Sequence, residues 1–173
     1  PPVVTGYLLF ISFGRHGWLG RWLESLWGLT IVFTWRGAAL ASAVMAFPLM
    51  VRSIRLAFAG VDPQLEQAAR TLGAGPWDTF VSITLPLARR GIVAGCVLAF
   101  ARSLGEFGAT IMIAGSIPGQ TRTIPLEIYR LVESPGGMAQ ARGLVLISVG
   151  MAWAAMLAGE WLDRRGSYEQ HSA

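Results

Sequence analysis

DPQLEQAARTLGAGPWDTFVSITLP, residues 62–86, is a polar interruption in a chain otherwise assembled from apolar runs. Gln67-Ala68-Ala69 is followed after three residues by Gly73, and after nine more by Ile83-Thr84-Leu85-Pro86. Local chemistry predicts its shape. Asp62 is a good N-cap and Pro63 suits the first helical position, where a missing N–H costs nothing. Leu65, Ala68, Ala69 and Leu72 recur at i, i+3, i+4 and i+7, which draws one apolar stripe along a short helix. Gly73 suits the left-handed conformation that stops a helix. Pro76 opens a second short helix through Trp77 and Phe80, and Pro86 opens the next long one. The small alanines on the stripe allow close approach by a partner; the plain alternative is an amphipathic helix folded back on its own protein.

Working outward, the hydrophobic fraction of 53%, the charged fraction of 14% and a mean hydropathy of +0.51 place the chain in the membrane class. A bilayer-spanning helix needs roughly 20 apolar residues. Spans are expected at about 37–57, 91–115 and 143–162, with 1–13 the partial remainder of a span whose start is absent and 166–173 a polar tail. Arg52 and Arg55 fall at the end of the first complete span, where their long side chains snorkel to the membrane surface. Pro48 is a candidate kink. The expected fold class is therefore all-α, a polytopic membrane helical bundle occupying 1–165.

Every one of the 14 basic residues is arginine. A P-loop requires a lysine to reach the nucleotide phosphates, so this polypeptide carries no Walker A motif, and any ATP and magnesium that drive it belong to another chain. Scattered arginines in a lipid-embedded chain argue against nucleic acid, whereas a net charge of +4 suits an anionic surface or substrate. Cys96 stands alone among apolar neighbours and reads as a small buried hydrophobe. His16 and His171 are far apart, so neither a metal site nor a catalytic dyad is expected. No cofactor is expected in this chain.

In Phe100-Ala-Arg-Ser-Leu-Gly-Glu-Phe-Gly-Ala109, Arg102 and Glu106 stand four apart and within pairing distance on one helix. An ionised arginine near the bilayer centre costs at least ~2.5–3.5 kcal/mol on insertion scales, so such residues face protein or a wet cavity. One reading is an internal ion pair. The other is the lining of an anion passage, with Ser103 and Thr110 as hydroxyl donors; the two are compatible. Gly91 and Gly95 form a G-x-x-x-G packing pattern, and Gly150, Ala154 and Ala158 a similar small-residue stripe. Beyond these, Pro125 starts an amphipathic helix with Ile124, Ile128, Leu131 and Val132 on one face, suited to an interface or to capping the passage.

The spacing from Gln67 to Pro86 resembles the cytoplasmic coupling loop of bacterial ABC-importer permeases, with Gln67 where that family usually has Glu and Glu66 adjoining it. PPVVTGYLLF, VFTWRGAALASAVMAFPLMVRSIRLAF, FARSLGEFGATI and IPGQTRTIPLEIY followed by SPGG extend the resemblance over nearly the whole chain, to the molybdate permeases among type I ABC importers. Sulfate and thiosulfate permeases share a stretch similar to ARSLGEFGA and are the alternative; an intramembrane enzyme is a more remote one. The resemblance implies a type I importer permease fold in a bacterial inner membrane. It implies a permease homodimer with two cytoplasmic ATPase subunits and an external molybdate-binding protein, working by alternating access. Glu66, Gln67, Ala68, Ala69, Gly73, Ile83, Leu85 and Pro86 would couple to the ATPase. It also sets the orientation, since Arg52, Arg55, Arg70, Arg89, Arg90, Arg164 and Arg165 inside barely outnumber Arg15, Arg21, Arg36, Arg122, Arg130 and Arg142 outside.

Overall fold

In the computed structural model, which describes residues 1–168 with side chains through 161, all regular structure is helical. The helices are α1 Pro2–Phe13, α2 Trp18–Trp27, α3 Trp35–Ala59, α4 Pro63–Thr71, α5 Pro76–Thr79, α6 Leu85–Leu104, α7 Gly108–Ala114, α8 Ile124–Glu133 and α9 Met138–Tyr168. Three stretches among the described residues are long and apolar enough to cross a bilayer: Trp35–Ala59, Pro76–Leu104 and Met138–Trp161. The helix carrying the last extends through Tyr168, into the expected polar tail; 169–173 lie outside the described residues.

The middle span departs from the expected 91–115. It starts at Pro76, because α5 continues into α6 through a π-helical turn at Phe80–Thr84. Pro86 has no N–H to return to Ser82 and its ring crowds that carbonyl; a wider turn, with Leu85 N–H donating to Phe80 O, carries the helix through. Pro86 therefore sits inside a continuous helix rather than opening one. At the other end the helix stops at Leu104, and Gly105–Phe107 separate it from α7. Arg102 and Thr110 are thus on different helices.

The chain forms two compact units. One comprises Pro1–Ala46 with Ala101–Trp153, the other Phe47–Phe100 with the described chain from Ala154 onward. In the first, Ala38, Ala41, Ala109, Ile113 and Ala114 form a core flanked by Leu9, Ile31, Val32, Leu40 and Met45. Small residues predominate because the backbones are close. A Cβ on Gly6 of α1 would lie 2.7 Å from Ala109 Cα of α7.

In the second unit, the G-x-x-x-G pair of α6 meets α3. A Cβ on Gly91 would fall 2.4 Å from Ala57 Cβ, and one on Gly95 2.8 Å from Ser53 Cβ, so a small pair on each helix forms the contact. Van der Waals contact at this distance replaces the hydrophobic drive that lipid removes. Gly159 of α9 packs on Val97 in the same way, whereas a Cβ on Gly150 would meet nothing within 4 Å among the described residues and Ala154 and Ala158 are exposed. The expected stripe on α9 is thus not the packed one. Cys96 is exposed, contrary to its expected burial, because Gly95 and Ala99 turn the packed face of α6 away from it.

Candidate functional site

α4 forms as its sequence dictates. Asp62 Oδ1 accepts the Gln64 N–H at 2.9 Å, Glu66 lies in the first turn and Arg70 in the last, where each complements the helix dipole. The helix ends in a Schellman turn: Gly73 takes φ +95°, its N–H donates to Arg70 O at 3.0 Å, and Ala74 N–H donates to Ala69 O at 3.1 Å. Phe80 then stacks between Phe58 and Trp77, with ring centroids 6.0 and 5.7 Å away, which fastens the start of the next helix to the end of α3.

The stripe predicted on α4 does fold back toward its own chain, but it leaves a groove. Leu65, Ala68, Ala69 and Leu72 form one wall and Ser82, Ile83, Pro86 and Leu87 the other, around about 470 Å³. Leu72 is 89% exposed at its edge. Of the residues expected to couple, Ala68, Ala69, Ile83 and Pro86 line this groove. Gly73 ends its helix, while Gln67 and Leu85 are exposed outside the lining.

Glu66 has an internal role that spacing could not reveal. Its Oε1 accepts the hydroxyl of Thr84 at 2.6 Å, across 18 residues, and Thr84 is buried. This bond ties α4 to the π turn of the membrane-length helix. Glu66 is half-buried and Gln67 exposed.

The second candidate cluster lies around the α6–α7 break. Glu106 is 2% exposed; its Oε2 meets Arg102 Nη1 at 3.0 Å, and its Oε1 accepts the Ala109 N–H at 2.9 Å. One carboxylate therefore neutralises an arginine and satisfies an amide at the start of α7. Ser103 Oγ donates to Ser42 O at 3.5 Å. Thr110 is fully buried, and its hydroxyl has no hydrogen-bond partner among the described residues. Of the four, Arg102 keeps substantial side-chain exposure, at 37%. Ion pairing is what the geometry displays; Thr110 faces packed protein within this chain.

Between α7 and α9, Glu127 of α8 is held by two arginines. Arg130 donates to both carboxylate oxygens, and Arg122 Nη1 reaches Oε2 at 3.0 Å while its Nε donates to Ser116 Oγ at 3.3 Å. Hydrogen bonding from Arg130, assisted by the charge of Arg122, holds the Glu127 carboxyl down to about 2. A depressed folded pKa contributes stability above the ordinary carboxylate range and loses it as pH falls toward 2, so this clasp is constant across neutral pH. α8 buries Leu126 and Leu131, whereas Val132, expected on the apolar face, is half exposed.

Among the described residues, no group of three His, Cys, Asp or Glu converges as a metal site would require. Residues 1–166 match the family of binding-protein-dependent transport system inner membrane components. The molybdenum transport system permease protein ModB of Escherichia coli is 60% identical over 164 residues, covering 95% of this chain and 72% of that protein. A putative molybdenum transport system permease of Bacillus subtilis is 46% identical over 134 residues, covering 78% of this chain and 59% of its own. A sulfate transport system permease of Synechocystis is 36% identical over 151 residues, covering 86% and 54%. With a family match along nearly its entire length and membrane-length helices to go with it, this chain belongs to the binding-protein-dependent transport system inner membrane components, as a transport permease.

Proposed function

We propose that the chain is the permease of an ATP-driven importer for molybdate, with tungstate as a close analogue. Two copies would pair with two cytoplasmic ATPase subunits, which bind ATP and magnesium, and receive substrate from an external binding protein. The observation that carries the coupling role is the open apolar groove between α4 and the π turn, walled by Ala68, Ala69, Ile83 and Pro86 and tied to the spanning helix through Glu66–Thr84. ATP binding draws the ATPase subunits together, the two loops follow, and the helices switch the side on which the passage opens. Only a difference in affinity between the two states drives such a switch.

The oxyanion assignment rests on likeness to the molybdenum permeases, at 60% identity against 36% for the sulfate permease. Molybdate, tungstate and sulfate are all tetrahedral dianions, so the charge of Arg102 does not separate them; the binding protein's cavity would. Uptake into vesicles holding the full-length permease with its own ATPase and binding protein tests this. Molybdate uptake should persist under a large excess of sulfate. Full competition by sulfate at equal concentration would reassign the substrate.

A further inference from the structure

A cavity of about 1000 Å³ shares no lining residue with the groove or the ion pair. It is bordered by the C-terminal end of α1, by α2 and by the segment leading into α3. We propose that it is a site for an anionic phospholipid, with the phosphate at Arg15 and Arg21 and an acyl chain along Phe10, Ile31 and Phe33.

Four observations point to a lipid. First, α2 joins the apolar helix α1 to the N-terminal end of α3, a helix long enough to cross the bilayer, so it emerges where a membrane face must be. Second, Trp18, Trp22 and Trp27 on α2 and Trp35 at the start of α3 are all exposed, Trp18 and Trp27 to 72%, and Trp18 lines the cavity. Indole rings, apolar in body and carrying one N–H, concentrate at the level of the headgroups. On α2, Trp18, Trp22 and Leu26 follow one another at i, i+4 and i+8 and form an exposed apolar arc, while Arg21, Glu24 and Ser25 occupy another side, the pattern of a helix lying in the interface.

Third, between Arg15 and Arg36 the charges are three arginines against Glu24 alone, an excess that favours an anionic headgroup over a zwitterionic one. Arg15, His16, Arg21 and Glu24 line the cavity together with Ser12, Thr30 and a larger number of aromatic and aliphatic side chains. A small inorganic oxyanion would leave most of those apolar side chains uncovered; a headgroup with its chain matches both kinds of lining.

Fourth, Phe33 lines the cavity with φ +57°, a left-handed backbone unusual for an aromatic residue. Its N–H donates to Ile113 O at 3.0 Å and its ring meets Phe10 edge-on at 5.9 Å. The strain is retained where it sets an aromatic wall beside the cavity, as strained residues in ligand clamps are.

The test uses the purified full-length permease in detergent and native mass spectrometry, titrating phosphatidylglycerol and, separately, phosphatidylethanolamine. Phosphatidylglycerol should bind preferentially. Arg15→Gln/Arg21→Gln should weaken it about tenfold or more, the scale of one lost charge-assisted hydrogen bond, while Arg142→Gln, outside the cavity, should not. Equal binding of the two lipids, or an unaffected double variant, would overturn the proposal. So would displacement of phosphatidylglycerol by equimolar phosphate or molybdate, which would mark an oxyanion site instead. A readout independent of arginine substitution is tryptophan quenching by phosphatidylglycerol brominated in its acyl chains. Quenching should exceed that by brominated phosphatidylethanolamine and shrink in Trp18→Phe; equal quenching by both lipids would also overturn it.

Discussion

Glu106→Ala is expected to cost the permease more folded protein than any other single replacement at the α6–α7 break. It strips the partner from Arg102 and the acceptor from Ala109 N–H in one step. Breaking a fully buried pair costs ~3–5 kcal/mol, and the partial exposure of Arg102 places this case near the low end, about 3 kcal/mol. Glu106→Gln keeps a carbonyl oxygen for Ala109 N–H and loses only the charge, so it should fall between Ala and the parent. Arg102→Met with Glu106→Gln should recover more than Arg102→Met with Glu106→Leu, because the second pair leaves the amide without an acceptor. Thermal unfolding of detergent-solubilised variants, read by size-exclusion fluorescence, gives the order. Equal stability of Glu106→Ala and the parent would contradict the buried pair.

Gly73→Val should uncouple transport while leaving membrane insertion intact. A Cβ at Gly73 meets nothing within 4 Å, so the penalty is purely in the backbone, where φ +95° is strongly disfavoured for a β-branched residue. Strain of this kind costs ~1–3 kcal/mol, comparable with the bonds closing the turn, so the Gly73–Arg70 and Ala74–Ala69 hydrogen bonds should open and the end of α4 fray. Substrate-stimulated ATP hydrolysis should fall steeply in the assembled transporter. Gly73→Asn, which tolerates positive φ better, should lose less. Gly75→Ala, at a neighbouring glycine with φ −71°, serves as control and should retain coupling.

Much of this was legible in residues 62–86, because caps, stripe and helix stop are local: Asp62, Pro63 and Gly73 act within a few residues of themselves. The spans were legible by composition. Their interruptions were not. The π turn answers a proline whose effect depends on whether the preceding helix continues, and the break after Leu104 depends on a carboxylate that finds Ala109 N–H only once α7 has packed against α1. Glu66–Thr84 joins residues 18 apart, a distance at which no periodicity gives a signal. Gly91 and Gly95 announced a close contact, yet Ser53 and Ala57 as its other half required the fold. Cys96 was misplaced because an apolar neighbourhood in sequence means burial in water-soluble proteins, while in a membrane helix it fits the lipid face equally well.

The central claim is that the groove beside α4 receives a separate ATPase subunit. A benzophenone amino acid replacing Leu72, the highly exposed residue at the groove's edge, tests it most directly in the full-length permease co-expressed with its ATPase. Ultraviolet irradiation should yield a permease–ATPase adduct from position 72 and none from the same side chain placed at Trp18. No adduct from position 72 in a complex that still hydrolyses ATP in response to substrate, or an adduct from Trp18 alone, would contradict the account.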